Sequence, residues 1–358
     1  MLKFTFDNSQ SAFFRNLKLK VDQYFAETDL DPAGNGKLYL KGLIQILSAA
    51  SIYIILVFLT PPVIVAIPLC LLLGLNLGVI GFNVMHEGGH QSFSKYAWLN
   101  KASAYSLNML GGISYFWKIK HNVNHHTFTN IDGMDSDIDA KPFMRMHVEQ
   151  PRYWFHRFQH IYWVVLYGIS YIAWVFYEDF QKYFSGRHSA NSGPKKLALN
   201  EHFIFWFTKI MFVTAYIVIP VMMVGWLAAL IGFLIITFVT GLSISIVFQL
   251  AHVVEHTQFH SPHHHQDVTN KQEWAIHQVN STANFATGSK SLHWLLGGLN
   301  FQIEHHLFPR ISHIHYPQVS RFVKEACRES NVAYIEYTSM FKAIGSHLIH
   351  LKRLGREY

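Results

Sequence analysis

The sequence predicts an all-α integral membrane protein, with two transmembrane helical hairpins (about four spans) below a cytoplasmic helical cap that gathers histidines. Three observations carry this expectation. Half of the 358 residues are hydrophobic and only 14% are charged, which is too apolar for a soluble chain of this length. The stretches 42–85 and 210–250 hold no Lys, Arg, Asp or Glu, and a helix needs roughly 20 apolar residues to cross the bilayer core. Twenty-four residues are histidine, twelve of them between His252 and His315, and histidine is the commonest metal ligand.

The elements follow in order. Residues 1–41 are polar and carry Lys3, Arg15, Lys18, Lys20, Lys37 and Lys41. No apolar run precedes residue 42, so they read as a cytoplasmic lead without a signal peptide, too short for a separate electron-carrier domain. Residues 42–60 form the first expected span, Pro61-Pro62 stops it, and 63–85 form the second. A second hairpin pairs 203–224 with 227–250. The apolar stretches 104–117 and 161–177 are short for spans, and the Tyr and Trp of the latter suit a membrane interface. Both tight turns lack Lys and Arg, so the positive-inside rule puts the N-terminal, central and C-terminal segments, with both termini, in the cytoplasm. This makes 42–320 one membrane domain and 321–358 a cytoplasmic tail. A net charge of +7 suits anionic headgroups. No basic patch on a soluble fold points to nucleic acid. Cys70 and Cys327 lie too far apart in context for a disulfide framework.

Histidines fall in boxes at the ends of these spans. The first is His86-Glu87-Gly88-Gly89-His90; on a helix, positions i and i+4 share a face and reach one ion. The second, His121 to His126, repeats the spacing with His121, His125 and His126. The third is Gln302-Ile303-Glu304-His305-His306, and His252 follows the fourth span with His256 one turn later. All lie on the cytoplasmic side if 104–117 and 161–177 do not cross. The expected ligands are His86, His90, His121, His125, His126, His252, His305 and His306. Eight imidazoles suit two ions, and imidazole alone does not name the metal. Glu87, Asp135, Asp137, Glu255 and Glu304 stand near the boxes, where carboxylates commonly orient ligating imidazoles. Asp135 and Asp137 equally suit a turn or a helix cap.

The three boxes, their order and their placement about two hairpins resemble the membrane fatty acid desaturase superfamily over about residues 40–320. The sequence QIEHHLFP at 302–309, with glutamine opening the third box, resembles the front-end branch, as does HHTFTN at 125–130 leading to DSDID at 135–139. The resemblance implies two iron ions that activate O2, a fatty acyl chain that loses two hydrogens from adjacent methylenes, and electrons from a separate ferredoxin or cytochrome. It implies an apolar tunnel for the substrate and a bacterial plasma membrane rather than endoplasmic reticulum. The carrier of the acyl group and the double-bond position stay open. Two departures stand out. Gln302 replaces a histidine. Phe248 occupies the place where stearoyl-type acyl-CoA desaturases hold a metal-bound water with asparagine. Gln302, His256 or water can complete the ligand set.

Rival readings are weaker. His86 to His90 spells H-E-x-x-H, but a zinc protease needs one ion and three ligands, which leaves the other boxes idle. A di-iron hydroxylase shares every motif. A metal transporter would bind near the midplane, where these spans hold no ionisable group. The tract His263-His264-His265 reads as a solvated loop. His147, His156, His160, His188, His202, His277, His293, His313, His315, His347 and His350 read as interfacial or surface residues.

Overall fold

The structure is a computed structural model that describes residues 4–9, 11–188, 193–261, 268–270 and 272–357. The tract His263–His265 lies outside the described residues. Five helices are long and apolar enough to cross a membrane: α2 (Gly36–Phe58), α3 (Val63–Gly89), α7 (Trp154–Ser185), α8 (Leu199–Val224) and α9 (Trp226–His252). Helix α1 (Ala12–Thr28) precedes them. Between α3 and α7 lie α4 (Ala97–Ala104), α5 (Ser106–Met109) and a helical run, α6, over 114–128. The cap is completed by α10 (Trp274–Asn280), α11 (Lys290–Leu295), α12 (Gln302–Leu307), α13 (Tyr316–Glu329) and α14 (Met340–Arg356). Two short parallel strand pairs are the described β-structure: Phe4–Phe6 with Val268–Asn270, and Asn284–Phe285 with Glu336–Tyr337.

Local chemistry sets the hairpins. Asn35 caps α2 by accepting from the Lys37 and Leu38 amides. The first turn passes through Thr60 at φ 44° and Pro61-Pro62, and the second through Gly225 at φ 82°, a conformation glycine adopts at no steric cost. The hairpins meet at small residues. A Cβ on Gly74 would lie 2.7 Å from the Ile236 carbonyl oxygen, and one on Gly241 would lie 2.6 Å from that of Gly168. Such positions let helix backbones approach closely inside a membrane.

Helix α7 departs from the sequence expectation. The stretch 161–177 is not a short interfacial piece but the middle of a 32-residue helix. Both of its ends nevertheless stay on the face that carries the histidines. Its start packs on α14, where Gly355 abuts the His156 carbonyl. Its end packs beside the start of α8, where Tyr183 Oη lies 2.8 Å from His202 Nδ1. Charged residues near its end obscure it in the sequence, and one of them is paired inside the protein: Asp179 accepts from Lys209 Nζ at 2.8 Å, and Lys209 also donates to the Gly111 and Val175 carbonyls. The stretch 104–117 is broken at Gly111 (φ 85°) into short helices and does not span.

The chain ends are integral to the cap. Phe13, Leu17 and Val21 of α1 share a core with Val323, Ala326 and Cys327 of α13. Both cysteines are free and buried.

Candidate metal centre

Box 1 sits where α3 ends. The π-helical segment Gly81–Met85 precedes it, with the His86 amide bonded to the Gly81 carbonyl five residues back. Gly88 and Gly89 are needed for packing: a Cβ on Gly88 would lie 2.7 Å from the Asn100 carbonyl oxygen, and the Trp117 ring fills the place of one on Gly89. Box 2 lies in a second π-helical segment, Ile119–His125, where the His126 amide donates to the His121 carbonyl. This i→i+5 register brings His126 nearly above His121, so His121, His125 and His126 are all buried on one face. His252 ends α9, and His305 and His306 lie on α12.

The imidazoles converge in two groups whose ligand atoms lie within 4.8 Å of one another: His86, His90, His121 and His305, then His125, His252 and His306. Asp137 joins His121 and His125 in a third grouping. His126 stands between the first two, its ring 4.7 Å from those of His90 and His305 and 4.4 Å from that of His306. In the first group His86 Nε2 and His121 Nε2 approach to 3.2 Å.

The outward ring nitrogens are anchored. His125 Nδ1 donates to Asp135 (3.0 Å), His306 Nδ1 to Gln278 Oε1 (2.8 Å), His305 Nδ1 to the Tyr316 hydroxyl (3.1 Å) and His252 Nδ1 to the Ser281 carbonyl (3.4 Å). The inward Nε2 atoms of those same four residues are buried without any hydrogen-bond partner, as are His90 Nε2 and His126 Nδ1. Buried polar atoms rarely go unpaired, and ions held by the two groups account for the ring nitrogens of His90, His305, His125, His252 and His306. Ring orientation set by an outer hydrogen bond is how proteins aim a metal-binding imidazole. Burial, then neighbouring imidazoles, hold His305 and His306 far below the usual histidine range, which keeps their lone pairs free. Burial also opposes charge on His125, but Asp135, by charge and hydrogen bond, raises it overall.

The nearby acids divide. Asp135 anchors His125, and Asp137 lies 3.8 Å from His121 Nδ1 and 2.8 Å from Lys120. The other three do not orient a ligand. Glu87 accepts from Ser312 Oγ (2.8 Å) and the His313 amide (3.1 Å), tying α3 to the cap. Glu304 accepts from Asn284 (2.7 Å) and Tyr334 (2.8 Å), and burial raises it to about 7. Glu255 bonds through its backbone to Ser346 and Tyr337. His256 is exposed at φ 76° and stands outside both groups. Gln302 is buried and lines a cavity with His86 and His121. Phe248 packs its ring 4.9 Å from His125 and 4.8 Å from His252. Several histidines expected at the surface are interior instead: His156, His188, His277, His313 and His347 are all nearly inaccessible. Two of them bond to backbone: His277 Nε2 to the Thr129 carbonyl at 2.8 Å and His347 Nδ1 to the Val253 carbonyl at 2.5 Å. Gln278, Tyr316 and Ser281 carry no sequence signal, since nothing in the boxes points to them.

A cavity of about 280 Å³ opens on His86 and His121 and runs between α3, α7 and α9. Phe82, Met85, Leu110, Ile244 and Leu299 give it apolar walls, and Asp139, Glu178 and Lys120 stand among its polar residues.

The family profile described as Fatty acid desaturase matches residues 62–338. The chain belongs to the fatty acid desaturase family. The desaturase is 35% identical over 357 residues to the sn-1 linoleoyl-lipid 6-desaturase of Arthrospira platensis, covering 99% of this chain and 95% of that protein. It is 33% identical to a protein of the same name from Synechocystis, covering 99% and 98%. It is also 33% identical to the acyl-lipid (8-3)-desaturase of Physcomitrium patens, covering 98% of this chain and 73% of the relative. It is a membrane oxidoreductase of lipid metabolism, and its buried histidine cluster is a metal centre.

Proposed function

We propose that this desaturase introduces a cis double bond into an acyl chain of a membrane lipid, with two iron ions held by His86, His90, His121, His125, His126, His252, His305 and His306. The observation that carries the reading is the set of six unpartnered ring nitrogens beside a largely apolar cavity. An acyl chain in that cavity brings its methylenes to the histidines, with Phe82, Met85 and Leu299 excluding water. Bound iron supplies O2 activation and removal of the two hydrogens, with electrons from a separate ferredoxin or cytochrome. The protein aims the imidazoles and fixes the position of the chain. Gln302 and Asp137 face the same cavity, and either side chain is able to complete the ligand set. The names of the relatives, acyl-lipid and linoleoyl-lipid desaturases, support a lipid-bound acyl group over a soluble carrier. The cyanobacterial relatives support a bacterial membrane, and the uncharged turns at Pro61-Pro62 and Gly225 support a cytoplasmic centre.

The test is the fatty acid profile of cells expressing the wild type beside His306→Ala, with a compatible electron donor and with double bonds located by mass spectrometry. A new unsaturated acid in lipid-bound form, made only by the wild type, is expected. A hydroxylated product, or retained activity in the variant, refutes the corresponding part of the reading.

A further inference from the structure

Of the four anchored rings, His252 is held least firmly by its own bond. Its Nδ1 lies 3.4 Å from the Ser281 carbonyl, against 2.8–3.1 Å for the matching bonds of His125, His305 and His306. Its aim therefore depends on the backbone that carries it. That backbone leaves α9 at Val253 (φ −114°, ψ 67°) and turns back through His256 at φ 76°, a conformation that only surrounding contacts keep in a residue other than glycine.

Three side chains from beyond α13 hold this turn. Tyr337 Oη donates to the Glu255 carbonyl at 2.7 Å, the Glu255 amide donates to Ser346 Oγ at 2.9 Å, and His347 Nδ1 donates to the Val253 carbonyl at 2.5 Å. Ser346 and His347 lie on α14, past residue 338 where the match to the family profile ends, in a stretch that reads from the sequence as a tail. Burial holds His347 down to about 4, so its ring is neutral. A carbonyl only accepts, so Nδ1 carries the proton and Nε2 is left as an acceptor. Tyr167 of α7 supplies the donor, its hydroxyl 2.9 Å from that Nε2. Val253, Tyr167 and Leu351 share one apolar cluster around the ring. His347 thus ties α7 and α14 to the end of α9, one residue from His252.

We propose that His347 is a positioning residue of the metal centre: through the Val253 carbonyl, with Ser346 beside it, it aims His252 at an ion shared with His125 and His306. This rests on the two-ion reading. The other group, His86, His90, His121 and His305, lies at the end of α3, on α6 and on α12. The brace from α14 therefore serves one ion and not both.

The test counts ions rather than turnover. Metal-stripped, full-length enzyme is titrated with iron(II) under anaerobic conditions, and the bound iron per chain is measured. The wild type is expected to bind two ions. In His347→Leu one ion should bind as before and the other about 10–100-fold more weakly, the usual loss when the support behind a ligand is removed. His347→Gln keeps one donor and one acceptor and should restore the second ion. Ser346→Ala, a milder change, should weaken the same ion. Combined with His306→Ala, which strips a ligand from that ion, His347→Leu should cost nothing further. Two ions held as tightly as in the wild type by either folded variant, or both ions weakened alike, overturns the proposal and leaves the two-ion reading standing. A wild type that binds no iron overturns both.

Discussion

At Asp135 a single carboxylate does two jobs. Its Oδ2 accepts from His125 Nδ1 and from the Asn130 amide, both at 3.0 Å. It therefore fixes both the ring and the loop that follows box 2. Asp135→Asn removes the charge that favours the Nδ1–H form of His125 and should lower metal retention or turnover about 10–100-fold, the usual cost of losing such a partner. Metal content per chain and product formation measure this, and wild-type values in both would sink the role. The seven box histidines were legible because their spacing within each box is local, and His252 because it follows a charge-free stretch. Their hydrogen-bond partners were not: Gln278 lies 28 positions before His306, and only the fold brings it near. Proximity along the chain also misled. Glu87 and Glu304 each adjoin a clustered histidine, yet successive side chains on a helix point in different directions, and both acids turn away to brace the cap.

The π-helical segments are where pattern reading at the level of elements falls short. An i, i+4 rule gathers His121 with His125 but strands His126; the wider register at 119–125 brings all three inward. Helix α7 was hidden for a different reason. Its apolar count is broken by Glu178, Asp179 and Lys182, of which Lys182 pairs with Glu178 at 3.4 Å and Asp179 with Lys209 at 2.8 Å. Its crossing with α9 makes a testable claim about packing. A side chain on Gly168 would have to occupy the place of the Phe238 ring, whereas one on Gly36 would meet nothing within 4 Å. Gly168→Leu should therefore cost about 1–3 kcal/mol or more of stability, while Gly36→Ala should be neutral or gain about 0.4–1 kcal/mol. Thermal unfolding in detergent compares the two, and equal midpoints for both variants would contradict the packing.

For the whole molecule, the metal centre constrains topology. His90 follows the end of α3 and His252 ends α9, yet both belong to one cluster of rings. An even number of full crossings must separate them. Of the three long apolar helices in between, α8 and α9 form the hairpin, so α7 must return to the face it left. Four of the five long apolar helices were legible from the charge-free stretches. That a fifth apolar helix does not span is a proposal resting on the shared cluster and the contacts at its two ends. On that count both termini are expected on the face of the metal centre. Cys70 and Cys327 are buried, so a single introduced cysteine can report its side through an impermeant thiol reagent. Cysteines at Lys18 in α1 and Lys352 in α14 should label from one side of sealed vesicles, and cysteines at Pro62 and Gly225 from the other. Labelling of Lys18 and Gly225 from the same side would demand an even number of crossings between them, and therefore an odd number between His90 and His252. It would separate the histidines across the bilayer and dissolve the shared centre.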